Sequence, residues 1–251
     1  MAERAPLPAG ARLSALARSC AFALLQIVIT PPFALVALLT FPLPLLTRYR
    51  IITQWSRIMV AAATCLCGIR YRVLGREHLP AEPAVILSKH QSAWETLAYQ
   101  ALLPPQSMVL KRELLWIPFF GWGLAMLEPI AIDRGSGLRA MRKLLADGKD
   151  RLARGFWVIV FPEGTRVAVG ERRPWHPGGA AMALHAHAPV VPIAHNAGRV
   201  WRKNAFIKYP GLITVSIGPA IAPTGLNAAE VTARAEAWVE AECARLATET
   251  A

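Results

Sequence analysis

Residues 84–95 read AVILSKHQSAWE. The first five form a short, continuously apolar run closed by a serine, the pattern of a strand over Ala84–Ser88 buried on both faces. Polar residues follow at once, and a helical pattern takes over at Ala93–Leu103. The same rhythm recurs along the chain. Strands are expected at Met108–Leu110, Pro129–Ile132, Trp157–Phe161, Val190–Ile193 and Ile213–Ile217, and helices over Gly135–Leu152, Gly178–His187 and Asn227–Ala247, the last with an asparagine suited to capping. Strands alternating with helices imply an α/β fold, a layered sheet with flanking helices. In open sheets of this kind ligands bind just beyond the carboxyl ends of the strands, so polar residues at those ends are the first candidates for chemistry.

Three strand ends carry them. After AVILS come His90 and, five positions on, Glu95. If a helix starts near Ser92, Glu95 falls in its first turn and its carboxylate can reach back to the imidazole. A carboxylate on one ring nitrogen fixes the tautomer and leaves the other nitrogen to accept a proton, which makes a general base. The plainer alternative has Glu95 capping the helix and His90 in a surface loop. After WVIVF, residues 162–166 read PEGTR: Gly164 permits a close turn, Thr165 offers a hydroxyl, and Arg166 is a planar donor suited to phosphate. An ordinary strand-end turn is the alternative there. Finally, Lys111-Arg112 and Asp133-Arg134 bracket the aromatic-rich stretch LLWIPFFGWG at 114–123, either core or an apolar trough beside phosphate ligands.

The chain has 251 residues, 54% hydrophobic, and its 28 Lys+Arg against 16 Asp+Glu leave a net charge of +12. That apolar content excludes wholesale disorder, and the charge favours an anionic partner. The dispersed Lys and Arg residues and the lack of a recognition module argue against nucleic acid; anionic membrane lipids fit better. From Ser19 to Thr47 no residue is charged, long enough to cross a bilayer. Pro31-Pro32 in the middle and Pro42 and Pro44 beyond favour two shorter helices in a shallow or re-entrant hairpin over a single straight crossing, the alternative that length alone allows. Arg12 and Arg18 before this segment and Arg48 and Arg50 after it give both ends a cytoplasmic character. Ile51–Gly68 reads as a further helix, packed or interfacial. Residues 1–70 therefore form a membrane-associated helical segment and 71–251 the α/β domain. The four cysteines read as reduced thiols. His185, His187 and His195 do not make a metal site, because helical residues two apart point to different sides.

Four blocks in order, KHQSAWET at 89–96, KRELLWIPFFG through AIDR at 111–134, FPEGTR at 161–166 and VVPIA at 190–194, resemble the 1-acyl-sn-glycerol-3-phosphate acyltransferase family of bacterial phospholipid synthesis. The resemblance implies that His90 deprotonates the free sn-2 hydroxyl of lysophosphatidic acid, that Glu95 orients His90, and that the oxygen attacks an acyl thioester to give phosphatidic acid. It implies a glycerol-phosphate site made by Lys111, Arg134, Glu163, Gly164, Thr165 and Arg166, and an acyl or acceptor pocket at Val191–Ile193. No metal, cofactor or acyl-enzyme is implied, only an acyl carrier protein or coenzyme A thioester as donor, and the expected location is the inner membrane with the site facing the cytoplasm. Three departures stand out: Glu95 replaces the family's usual Asp, Lys89 the usual Asn, and Glu128-Pro129 stands where a glycine often lies. An acyltransferase for another acceptor, glycerol-3-phosphate or a different lysolipid, would share these motifs. A non-enzymatic basic membrane-binding protein would not need them.

Overall fold

The computed structural model describes residues 9–248. Three helices come first, α1 (Ala9–Leu39), α2 (Leu45–Ile52) and α3 (Gln54–Cys67). Then follow β1 (Ile69–Leu74), β2 (Val85–Ser88), α4 (Trp94–Leu102), β3 (Gln106–Lys111), α5 (Phe120–Ala125), β4 (Ile130–Ile132), α6 (Leu138–Ala153), β5 (Trp157–Val160), α7 (Gly178–Ala186), β6 (Val190–His195), β7 (Gly211–Ile217) and α8 (Ala228–Thr248). The strands form one seven-stranded sheet in the order β1-β7-β6-β2-β5-β3-β4. Strands β6, β2, β5, β3 and β4 run parallel, so their carboxyl ends share one edge, while β7 pairs antiparallel to β6 and parallel to β1.

The period of two along the central strands divides the core. Ile86 and Ile159 face α3 and α4 in a cluster with Met59, Trp94 and Tyr99. Val85, Leu87, Val158 and Val160 face the other way, against Leu144, Met182 and Val239 of α6, α7 and α8. With both faces covered, alternation of polarity disappears and the strand reads as a solid apolar run, which is why β2, β5 and β6 were legible. Strand β1 was not expected. As an edge strand it is buried at Ile69 but exposed at Arg70, Tyr71 and Arg72, and those arginines discourage further strand pairing.

The N-terminal segment differs from the expected hairpin at Pro31-Pro32: α1 runs unbroken through both prolines. The rings leave the carbonyls one turn earlier without a donor. Packing on both sides holds the helix regardless: Phe22 is fully buried in the core, and Ala34 and Ala37 approach Gly123 of α5. Thr30 Oγ1 donates to Gln26 O (2.5 Å) and accepts from Trp55 Nε1 of α3 (3.2 Å). The chain reverses only at Thr40–Pro44, so the hairpin is formed by α1 against α2 and α3.

Glu128 resolves the departure at the glycine-like position. Its φ is +48°, in the left-handed region, so the backbone keeps the conformation a glycine would favour. The side chain bridges elements: Arg48 of α2 reaches its carboxylate, as do Arg151 (3.4 Å) and Arg154 (2.9 Å) at the end of α6, while Ser107 Oγ donates to its carbonyl (3.1 Å). Left-handed backbone costs a residue with a Cβ about 1–2 kcal/mol. Glu128→Ala, which keeps the strain and loses the bridges, should therefore be less stable than Glu128→Gly by about 1 kcal/mol. Chemical denaturation of the two variants checks this, and an alanine variant as stable as the glycine variant contradicts it.

Candidate active site

The loop after β2 is built around one oxygen. Glu95 lies in the first turn of α4, where its carboxylate turns back over the residues that precede the helix. Its Oε1 accepts from Ser92 N (2.7 Å), Gln91 N (2.9 Å) and His90 Nδ1 (2.9 Å), and Ser92 Oγ accepts from Trp94 N (3.1 Å). The capping and the orienting readings of Glu95 are thus one arrangement. Glu95 is fully buried. Burial pushes its carboxyl up, but the His195 and His90 rings and the Ser92 N–H outweigh that and hold it below the ordinary carboxylate value. His195 in turn donates from Nε2 to Lys89 O (2.9 Å) and accepts at Nδ1 from Ala197 N (3.2 Å). Those bonds define a neutral ring, and burial keeps its pKa low.

An ionised carboxylate only accepts hydrogen bonds, so His90 carries its proton on Nδ1 and leaves Nε2 with a free lone pair. The ring stacks on Phe161 (centroids 4.1 Å apart, planes at 19°) and borders a cavity of about 870 Å³.

The loop after β5 meets this one. Gly164 has φ +70° and donates to Phe161 O (3.0 Å), closing a tight turn. Glu163 Oε2 accepts from His90 N (2.9 Å), while Val167 N donates to His90 O (2.7 Å). Both peptide groups of His90 are therefore tied to the neighbouring strand end. The carboxylate of Glu163 faces this loop and the Lys89 ammonium (2.9 Å). Gly164, Thr165 and Arg166 border the cavity; Arg166 Nε is buried with no hydrogen-bond partner among the described residues. Lys111 borders it from the end of β3, exposed and paired with Glu113 (3.1 Å).

His90, Lys111, Glu163, Gly164, Thr165 and Arg166 thus surround one cavity, with Glu95 directly behind His90. The side chain of Arg134 lies outside the described residues. Val191 and Ile193 are placed elsewhere than the resemblance implied: both are fully buried in the core beneath α3 and α4 and do not line the cavity. In the loop after β5, residues 171–174 are exposed, whereas Trp175 is buried and His176 borders the cavity. Sequence reading also missed the far wall, where Phe33, Ala34 and Ala37 of α1 face Leu124, Leu127 and Leu144. No short-range pattern announces contacts between segments so distant in sequence.

Burial, opposed by Lys89 and the His90 N–H, pushes the Glu163 carboxyl up to about 7. Its ordinary unfolded value is about 4.3. Between those values the folded chain binds more protons than the unfolded one, so this group's contribution to stability falls as pH rises. Wild type should therefore lose stability relative to Glu163→Gln between about pH 4 and 7, read from thermal melts across that range. Parallel pH dependence in the two proteins contradicts it.

Comparison with known proteins identifies relatives of this chain. The family model Acyltransferase matches residues 70–196. Over 208 residues the chain is 49% identical to the 1-acyl-sn-glycerol-3-phosphate acyltransferase of Pseudomonas aeruginosa, covering 81% of each chain. It is 32% identical to the mouse 1-acyl-sn-glycerol-3-phosphate acyltransferase alpha over 72% of this chain and 65% of that one. In architecture it is similar to the crystal structure of the LPA acyltransferase PlsC from Thermotoga maritima, with a TM-score of 0.81 over 95% of this chain and 98% of that one, at 20% identity. Half the chain is matched by the family model and four-fifths of it by a relative of nearly half-identical sequence, and on that ground the chain belongs to the 1-acyl-sn-glycerol-3-phosphate acyltransferase family.

Proposed function

We propose that this protein transfers a fatty acyl group from a thioester to the sn-2 hydroxyl of 1-acyl-sn-glycerol-3-phosphate, giving phosphatidic acid. The observation that carries the proposal is the state of His90: Nδ1 is held by Glu95 at 2.9 Å and the ring borders a largely apolar cavity. Nε2 takes the hydroxyl proton as the oxygen attacks the thioester carbonyl. A C–O bond forms, the C–S bond breaks, and the imidazolium returns its proton to the departing thiolate. Glu95, ionised and buried, stabilises the transient imidazolium. Neither a metal nor a covalent acyl-enzyme is needed. The thiol leaving group belongs to a coenzyme A or acyl carrier protein donor.

Arg166 and Lys111 are the cations for the acceptor's phosphate. Arg166 offers a planar fork and has a buried Nε with no hydrogen-bond partner among the described residues, while Thr165 adds a hydroxyl beside it. The apolar wall from α1, α5 and α6 is suited to a hydrocarbon chain.

Helix α1 brings that wall to the lipid. Its 30 apolar-rich residues from Gly10 to Leu39 span about 45 Å, enough to cross a bilayer. Yet Ala15, Ser19, Phe22, Ala34 and Ala37 are buried against the body along nearly its whole length, while Leu24, Ile27 and Leu39 are exposed by 64%, 69% and 79%. A helix bound lengthwise to the folded body lies along the membrane surface with its apolar stripe immersed. Exposed Trp116, Ile117, Phe119 and Trp122 extend that apolar surface. The natural location is the cytoplasmic face of the inner membrane, where anionic lipids attract a chain of charge +12.

His90→Ala should lower kcat by about 10²–10⁴-fold while the protein stays folded and membrane-bound; wild-type turnover in that variant contradicts the assigned base. Arg166→Ala should raise KM for the acceptor by roughly ten- to a hundredfold, the effect of losing a charged hydrogen bond. An unchanged acceptor KM would remove Arg166 from the phosphate site.

A further inference from the structure

We infer that Lys89 is a positioning residue for the reaction: its buried ammonium, shared between Glu163 and Glu240, fastens the C-terminal helix α8 to the strand end that carries His90. The inference rests on the acyltransferase reading above and concerns a residue that departs from the family's usual Asn. Lysine is almost never fully buried unless paired, and Lys89 is only 1% exposed. Its Nζ lies 2.9 Å from Glu163 Oε1 and 2.5 Å from Glu240 Oε1, and Arg172 Nε lies 3.3 Å from the other oxygen of Glu240. Two cations and two carboxylates make a balanced cluster between the β2 end, the β5 end and α8. Asparagine could not supply this charge.

The consequence for catalysis is geometric. Glu163 holds the His90 N–H, and His195 holds the Lys89 carbonyl. The residue before the base is thus anchored at its side chain and its backbone together. Without the ammonium, Glu163 becomes a buried carboxylate facing Glu240 with no cation between them. It must take a proton or turn away, and either change loosens its hold on His90. The other titratable groups around the cluster are His90, His195 and Glu95 on the loop side, Tyr99 on α4, Glu236 and Cys243 on α8, and Glu171 in the loop after β5. Burial already raises the Glu163 carboxyl to about 7 against the pull of Lys89, so loss of Lys89 should move its titration to higher pH.

The test is transfer of an acyl group from a thioester to 1-acyl-sn-glycerol-3-phosphate by wild type, Lys89→Met, Lys89→Met/Glu163→Gln and Glu240→Gln, with kcat, KM and pH profile for each. Lys89→Met should lower kcat about 10²-fold, the effect of a displacement near 1 Å, with the acceptor KM little changed and the acid limb of the profile shifted to higher pH. The double variant should recover about tenfold of that loss, because a neutral amide still accepts from His90 N and leaves no buried charge. Glu240→Gln, which loses the grip of α8 but keeps Lys89 on Glu163, should fall several-fold in kcat. The inference is overturned by wild-type kcat in Lys89→Met, by a loss confined to KM, or by a double variant no faster than the single one. Should Lys89→Met fail to fold, the other two variants decide in the same way: unchanged kcat in Glu240→Gln, or no activity in a folded double variant, overturns it. A wild type that acylates no lysolipid instead removes the acyltransferase reading itself and this inference with it.

Discussion

Three hydrogen bonds converge on Oε1 of Glu95, from the His90 ring and from the Gln91 and Ser92 peptides. That convergence is the constraint on which the rest depends. A carboxylate removed from water must be compensated by donors or it takes up a proton. Here the compensation doubles as architecture. The two peptide donors belong to the turn that leads into α4, and the ring donor fixes which nitrogen of His90 is left basic. A longer acid than the family's usual one still meets all three donors, because it reaches back from the first helical turn rather than across from a neighbouring loop.

The sheet makes this local device usable. Parallel pairing of β2 with β5 brings their carboxyl ends side by side, and two bonds in opposite directions, His90 N to Glu163 and Val167 N to His90 O, lock the base against the loop that carries Arg166. β3, pairing with β5 on the other side, delivers Lys111 to the same edge. In the proposed function, a general base and two cations for the substrate phosphate thus come from three adjacent strand ends. The cavity they face is completed by α1, so the apolar wall of the site belongs to the same helix that carries an exposed apolar stripe on its outer side.

Much of this was legible in the sequence, and the pattern of what was not is physical. Central strands show as continuous apolar runs because both faces are covered, and the alternation of strand and helix gave the class. The edge strand β1 was hidden because half of it faces water and its arginines interrupt the run. Pro31-Pro32 looked like a break because intrinsic preference predicts one; packing of α1 on the body overrides it, and such packing is not written in the segment itself. His90 and Glu95 were found by spacing, since five residues suffice to bring them together through a turn. Lys89, Glu163 and Glu240 come together only through the folded sheet and α8, over sequence separations that no local pattern encodes. Val191 and Ile193 show the opposite error, a block matched by family resemblance whose apolar residues serve the core.

In the proposed mechanism His90 and Glu95 act as one unit. A double-mutant cycle tests it most directly: kcat for acyl transfer to 1-acyl-sn-glycerol-3-phosphate measured for wild type, His90→Ala, Glu95→Gln and the double variant. Residues that act through one another are strongly non-additive, so the account predicts that adding Glu95→Gln to His90→Ala slows the reaction no further, although Glu95→Gln alone is severely impaired. Losses that multiply in the double variant, or a Glu95→Gln enzyme with undiminished kcat, would contradict it.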